Sequence, residues 1–355
     1  GVHWRRPPLN LMFQDTFPDN NIIWHWPSYF NDSLSVIEDT IDPDPQRRYK
    51  MLIYHHDSED PDLCGGFPFI SPDGLTWTRT SAMLPTQDAE CLWQDRSTGR
   101  YYAFLKDRVG NNRSRMLCTS DDFEEWSEPQ WIVTPDHGDH QGTNFYNQTA
   151  FTMAGRNLGF LNVYDVTTQT SWVELVESGD AFNWRRMPSR SPLLQPSGPG
   201  SLDGGGTYLG LNEPILMGDD YWYYYYASPR RHSESAPSTP QKPTLCVATF
   251  TKNRLVGQQT EGEGSFATLP FRCPGGQLQL NFTSTEPVTV ALKRAGYGGE
   301  SQEFTREESE PISGDLQDGE IRWKSGKTPV HLEGKFVRIK VYGKNAIVYS
   351  AAFVK

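Results

Sequence analysis

Glu213-Pro-Ile-Leu-Met-Gly-Asp-Asp220, running on into Tyr221-Trp-Tyr-Tyr-Tyr-Tyr226, is one of four copies of a single unit. Each copy opens on a polar or acidic residue seven positions before a tight turn, and an aromatic-rich strand follows the turn. The others begin Asp32-Ser-Leu-Ser-Val-Ile-Glu-Asp39, Asp88-Ala-Glu-Cys-Leu-Trp-Gln-Asp95 and Asn147-Gln-Thr-Ala-Phe-Thr-Met-Ala154. They lead into Tyr49-Lys-Met-Leu-Ile-Tyr54, Tyr101-Tyr-Ala-Phe-Leu105 and Leu158-Gly-Phe-Leu-Asn-Val-Tyr164. Short strands recurring at roughly 40 to 60 residues point to a β-propeller, whose innermost strands begin at one central pocket. Asp32, Asp88 and Glu213 are expected to meet there despite their separation in sequence.

A third strand in three of the units ends in a turn closed by tryptophan: Ser71-Pro-Asp-Gly-Leu-Thr-Trp77, Ser120-Asp-Asp-Phe-Glu-Glu-Trp126 and Ser178-Gly-Asp-Ala-Phe-Asn-Trp184. Aspartate bonds its own backbone two residues on, and glycine tolerates positive φ, so these residues suit the turn. The indole is expected to wedge between neighbouring blades with its N–H on a carbonyl. These turns resemble the Asp-box turns of propeller glycosidases, shortened by a residue.

Composition agrees with many short strands. The 355 residues include 31 Gly and 26 Pro, and 13% are aromatic. No stretch sustains helical periodicity, so the chain reads as all-β. A net charge of −11 argues against nucleic acid, whose binding needs clustered Lys and Arg, and fits an uncharged polar ligand. The pairs Arg5-Arg6, Arg47-Arg48, Arg185-Arg186 and Arg230-Arg231 read as solvated turn residues. No apolar run approaches the ~18 residues of a membrane span. No signal peptide is present, and the start at Gly1 is compatible with removal of a leading segment. Four sequons, at Asn31, Asn112, Asn147 and Asn281, permit a eukaryotic secreted origin but are short enough to arise by chance; a secreted or periplasmic location is expected, with the cytoplasm left open. The five cysteines lack CxxC spacing, which speaks against zinc; Cys91, Cys118 and Cys246 fall in apolar strands as core residues. No Gly-rich nucleotide loop or metal-ligand spacing occurs, so no cofactor or catalytic metal is expected, while a structural cation on the axis is compatible with the fold. Oligomeric state is not legible.

The organisation that follows is a five-bladed β-propeller over residues 1–256, a Gly- and Glu-rich linker over 257–267 and a small β-sandwich over 268–355. The first 30 residues and the stretch after Cys246-Val-Ala-Thr-Phe250 would build the fifth blade; four blades remain compatible. The C-terminal part alternates apolar and polar positions, as in Phe336-Val-Arg-Ile-Lys-Val341, the mark of half-buried antiparallel strands.

Asn212-Glu213-Pro214-Ile215 and the tyrosine run behind it resemble the general-acid blade of family 43 glycoside hydrolases. The segment from Asp88 to Tyr102 is similar to that family's second blade, and Asp32 to Tyr54 to its first, although the family's Asp-Pro is absent from the first blade. The wider likeness is to five-bladed propeller glycosidases of families 32, 43, 68 and 117. It implies a carbohydrate partner and glycosidic cleavage. Such cleavage needs an acid to protonate the leaving oxygen and a carboxylate on the opposite face of the sugar, and a third carboxylate can raise the acid's pKa. The assignment is Glu213 as general acid, Asp32 as base or nucleophile, and Asp88 or Glu90 as modulator. Trp24, His25 and Trp26 offer a platform for a sugar ring; His140, Asn144 and Asn147 offer hydrogen bonds to hydroxyls; Asp203 is a rival acid in the loop before the last unit. A non-catalytic glycan-binding propeller and a sialidase or lyase are the competing readings, the former favoured if the acids prove far apart or blocked.

Overall fold

The structure is a computed structural model that describes residues 3–26, 30–57, 59–210, 212–234, 242–294 and 303–355. Its regular elements are twenty-four strands and three short 3-10 turns, so the chain is all-β as expected. Two compact units emerge: residues 1–215 with 222–249, and residues 216–221 with 250–355.

Four antiparallel sheets belong to the first unit, except that residues 216–221 and 250–251 of the fourth fall in the second. The first holds β1 (Phe30–Glu38), β2 (Tyr49–His56), β3 (Gly65–Ser71) and β4 (Thr78–Arg79); the second holds β5 (Cys91–Gln94), β6 (Tyr101–Val109), β7 (Asn112–Ser120) and β8 (Gln130–Val133). In the third, β9 (Thr143–Gln148) and β10 (Phe151–Met153) both pair with β11 (Arg156–Asp165), followed by β12 (Thr170–Ser178) and β13 (Trp184–Arg186). In the fourth, β14 (Gly206–Leu209), β15 (Ile215–Met217) and β17 (Thr244–Thr251) all pair with β16 (Asp220–Ser228).

Hydrogen bonds between neighbouring sheets run in a closed circuit. Ser33 and Ser35 hydroxyls accept from Ala89 N at 2.6 Å and Leu92 N at 3.0 Å, linking first to second. Asn144 Oδ1 accepts from Arg113 N at 2.9 Å, linking second to third. Asn162 Nδ2 and Ser171 Oγ both donate to Thr207 O at 2.9 Å, linking third to fourth. Asn212 Oδ1 then accepts from Ser35 Oγ at 3.2 Å and Val36 N at 3.3 Å, returning to the first. That circuit makes the arrangement propeller-like, and it corrects the preferred blade count: four sheets, not five, form among the described residues. The stretch around Cys246 joins the fourth sheet as β17, and residues 3–26 contain no strand.

The tryptophan turns repeat closely. Asp73, Asp122 and Asp180 each accept two backbone amides through Oδ1, and the next residues, Gly74, Phe123 and Ala181, hold φ of 73°, 66° and 64°. Trp184 fits the expected wedge, lying edge-on to Phe104 of the second sheet at 5.5 Å with Nε1 donating to Ala181 O. Trp77 and Trp126 Nε1 find no such acceptor among the described residues.

The second unit centres on the long strand β21 (Gln277–Arg294). Its first half pairs with β24 (Ala346–Val354) and β22 (Ile312–Glu320), its second with β23 (Phe336–Lys344). β20 (Phe271–Arg272) adds to β23. Leu280, Phe282, Val290, Phe304 and Trp323 fill the core. The segment read as a linker is corrected here: it carries β18 (Gln258–Gln259), paired with β24, and β19 (Glu263–Ala267), paired with β23.

Candidate functional site

The starts of the inner strands share a local design. Asp32 Oδ1 accepts from Ser33 N and Asn147 Oδ1 from Gln148 N, each at 2.6 Å. Ser33 and Ala89, which follow Asp32 and Asp88, hold left-handed φ of 59° and 68°. Register identifies the corresponding place in each sheet: Asp32 faces Tyr54, Asn147 faces Asn162, and in the fourth sheet Tyr208 faces Tyr226.

That register puts Tyr208, not Glu213, in the place corresponding to Asp32. The inner strand of the fourth sheet is split, with residues 210–214 between β14 and β15, so counting back from the turn lands within the break. Glu213 pairs with Arg96 at 2.9 Å, and Arg96 follows the far end of β5. Asp32 lies near the start of β1, whereas Glu213 follows Asn212, which bonds Ser35 and Val36 midway along β1. Burial raises the Glu213 pKa against the pull of Arg96, and Glu213 sits further along the inner strands than Asp32.

At the starts of those strands lies a cavity of about 520 Å³. Asp32, Ser33 and Ala89 line one side, Tyr146, Asn147 and Asn162 another, and Tyr208 and Tyr226 a third. The segment after β16 completes the wall with Arg230, Arg231, His232 and Glu234. Among the described residues, its carboxylates are those of Asp32 and Glu234. His232 Nε2 lies 3.1 Å from the Tyr146 hydroxyl, and burial, with Arg113 and Lys106 nearby, lowers the imidazole pKa.

The other two acids assigned beside Asp32 stand behind this wall. Asp88 is ion-paired with Lys106, whose side chain is 2% exposed; the Lys106 ammonium sits 4.7 Å from the Tyr146 ring centroid. Burial, reinforced by Arg115 and Arg113, pulls that lysine down to about 7. Glu90 is fully buried and neither carboxyl oxygen has a hydrogen-bond partner among the described residues. Burial, with Asp32 adding to it, holds its pKa well above the usual carboxylate range, against the pull of buried Arg115.

Of the proposed sugar contacts, Asn147 alone is on the wall. Asn144 is buried, accepts from Arg113 N and donates to Gly142 O. His140 is largely exposed in the turn before β9, with Nδ1 3.5 Å from Asp165. Asp203 is tied down by Ser197 and Ser201, whose hydroxyls donate at 3.1 and 2.8 Å. Trp24 and Trp26 pack against Phe69 and Phe67 of β3, and His25 meets Phe13 edge-on; the aromatic platform is blade packing instead. Tyr146, Tyr208, His232 and Glu234 were missed, and Arg230-Arg231 was read as solvated turn. One available signal was the fourth-sheet break, because realigning the repeat on Tyr226 brings Tyr208 into the place of Asp32.

No family model matches the chain and no curated protein matches it. Solved structures show weak likeness. An N-acetylgalactosamine deacetylase from F. plautii in complex with blood group B trisaccharide shares 12% identity over 63% of this chain and 92% of its own, with a TM-score of 0.32. A glycosyl hydrolase from Bacteroides ovatus shares 11% over 57% and 62%, with a TM-score of 0.41. A thermostable family-43 glycoside hydrolase shares 12% over 60% and 69%, also with a TM-score of 0.41. At these scores the likeness decides nothing about function.

Proposed function

We propose that the first unit binds a saccharide in this cavity and hydrolyses a glycosidic bond there. The observation that carries the reading is that Asp32 and Glu234 come from separate segments to one wall, among amide and tyrosine groups suited to sugar hydroxyls. Asp32 acts on water or on the anomeric carbon, and Glu234 replaces Glu213 as the acid for the leaving oxygen. The reaction draws on no cofactor and is expected to survive chelation.

Asp32→Asn is expected to keep the fold and sugar binding while turnover falls by about 10² to 10⁴, the range of acid–base assistance. Glu234→Gln should fall comparably on a natural glycoside and far less on an activated aryl glycoside, which needs little protonation. Kinetics over arabinosides, xylosides, galactosides, fructosides and anhydro-sugars check both, and equal loss on the two substrate types removes Glu234 from the acid's role.

A binding-only propeller is the second reading. Asp88 is paired with Lys106 and Glu90 is buried, and neither lines the cavity. Saccharide binding without turnover across the panel would establish it.

A further inference from the structure

Resting on the reading of this cavity as a saccharide site, we infer that its ligand is acidic, a saccharide bearing a carboxylate that the Arg230 and Arg231 guanidiniums engage. The chain carries a net charge of −11, and acidic partners are plentiful for its arginines. In the first unit Arg47, Arg48, Arg96, Arg100, Arg156, Arg185, Arg186 and Arg190 are all ion-paired, Arg79 is stacked on Trp26 and Phe67, Arg108 and Arg115 bond backbone carbonyls, and none of these lines the cavity. Arg230 and Arg231 do line it, and neither side chain has a carboxylate partner among the described residues. Glu234 accepts from Arg231 through the backbone N at 3.1 Å, not the guanidinium.

A third cation is held against the lining residue Tyr146 without lining the cavity itself. Arg113 packs its guanidinium over the rings of Tyr146 and Tyr164, 5.6 and 5.8 Å from their centroids, with an Asn144 amide oxygen and no carboxylate against it. Lys106 adds no free charge, being paired with Asp88. Facing these groups from the wall is the Asp32 carboxylate, with Glu234 close to Arg231. Guanidiniums that share a cavity wall with carboxylates yet form no ion pair with them among the described residues are available for a ligand anion. Arginine's planar fork matches a carboxylate through two parallel hydrogen bonds. In a concave polar site such pairing also fixes the sugar's orientation relative to Asp32.

The test is calorimetric binding, measured separately from turnover, with glucuronate- and galacturonate-containing disaccharides. Each is compared with its methyl ester and with a sulfated neutral disaccharide. The free acids are expected to bind at least about ten-fold tighter than their esters, equivalent to about 1.4 kcal/mol. The preference should shrink with added salt and vanish in Arg230→Gln/Arg231→Gln, with circular dichroism confirming the fold. Equal affinity for acid and ester, preference for the sulfated probe, an acid preference that survives the double substitution, or no binding of any acidic probe overturns the inference. Tight acid binding without turnover leaves it standing and removes the hydrolase reading. Turnover of a neutral saccharide with no acid preference does the reverse.

Discussion

Asp39 shows how one residue of the repeat serves stability at the end away from the cavity. Its side chain and that of Lys50 are both fully buried and 3.1 Å apart. Burial alone would raise its pKa, but hydrogen bonds from the Tyr101 hydroxyl, from Asp42 N and Ile41 N, and from Lys50 outweigh it and bring the value from 3.8 to about 2. A folded-state pKa below the unfolded one means that the unfolded chain binds more protons as pH falls. The stabilisation is therefore full above about 4 and lost as pH drops through about 2, amounting to about 2.5 kcal/mol. Asp39→Asn is expected to cost about 3 kcal/mol at pH 7, because it leaves a buried lysine with Asp42 as its one carboxylate partner, beside the Arg47 carbonyl. The penalty should shrink toward pH 2. Urea unfolding of both proteins between pH 2 and pH 7 measures it, and a penalty constant with pH would mean the carboxylate charge is not what stabilises.

At the scale of the element, the repeat was legible where each inner strand is continuous and misleading where it is broken. Asp32 and Asp88 were found near the strand starts because β1 continues past its bulge, and β5 from Cys91, into their turns with no residue outside the strand. Residues 149–150 break the third inner strand and residues 210–214 the fourth; the longer break shifted the fourth copy's reading from Tyr208 to Glu213. The tryptophan turns were legible because their chemistry is local: one aspartate, two amides and one residue at positive φ. The cavity wall after β16 was not, since nothing in a short loop's spacing says which way its arginines face. Placement of Glu213 carries a direct consequence. Glu213 is half-buried and its partner Arg96 is largely exposed, a pairing worth about 0 to 1 kcal/mol. Glu213→Gln is expected to leave turnover within about two-fold of wild type and to lower stability by no more than about 1 kcal/mol. A large loss of activity in that variant would return Glu213 to the chemistry and overturn the register argument.

For the molecule as a whole, the first unit holds together through a circuit that the sequence pattern could not display, because its links join residues from 31 to 177 positions apart. Ser35 is the junction of that circuit. Fully buried, its hydroxyl accepts from Leu92 N of the second sheet and donates to Asn212 Oδ1 of the fourth. Leu92 is also buried, so replacing Ser35 by alanine strips its amide of a partner that water cannot reach to replace. Leaving a buried donor unsatisfied costs about 1 to 3 kcal/mol. For a body of this size that corresponds to roughly 2 to 4 °C per kcal/mol in Tm. Because the bonds tie three sheets, the loss is expected to lower the single transition of the first unit as one, instead of splitting off the fourth sheet. Ser35→Ala should therefore lower Tm by about 2 to 12 °C with hydrogen-exchange protection falling alike in β2, β6 and β11. Protection lost only in β14 and β16 would show that the fourth sheet is held independently, and that the ring of bonds does not make the unit cooperative.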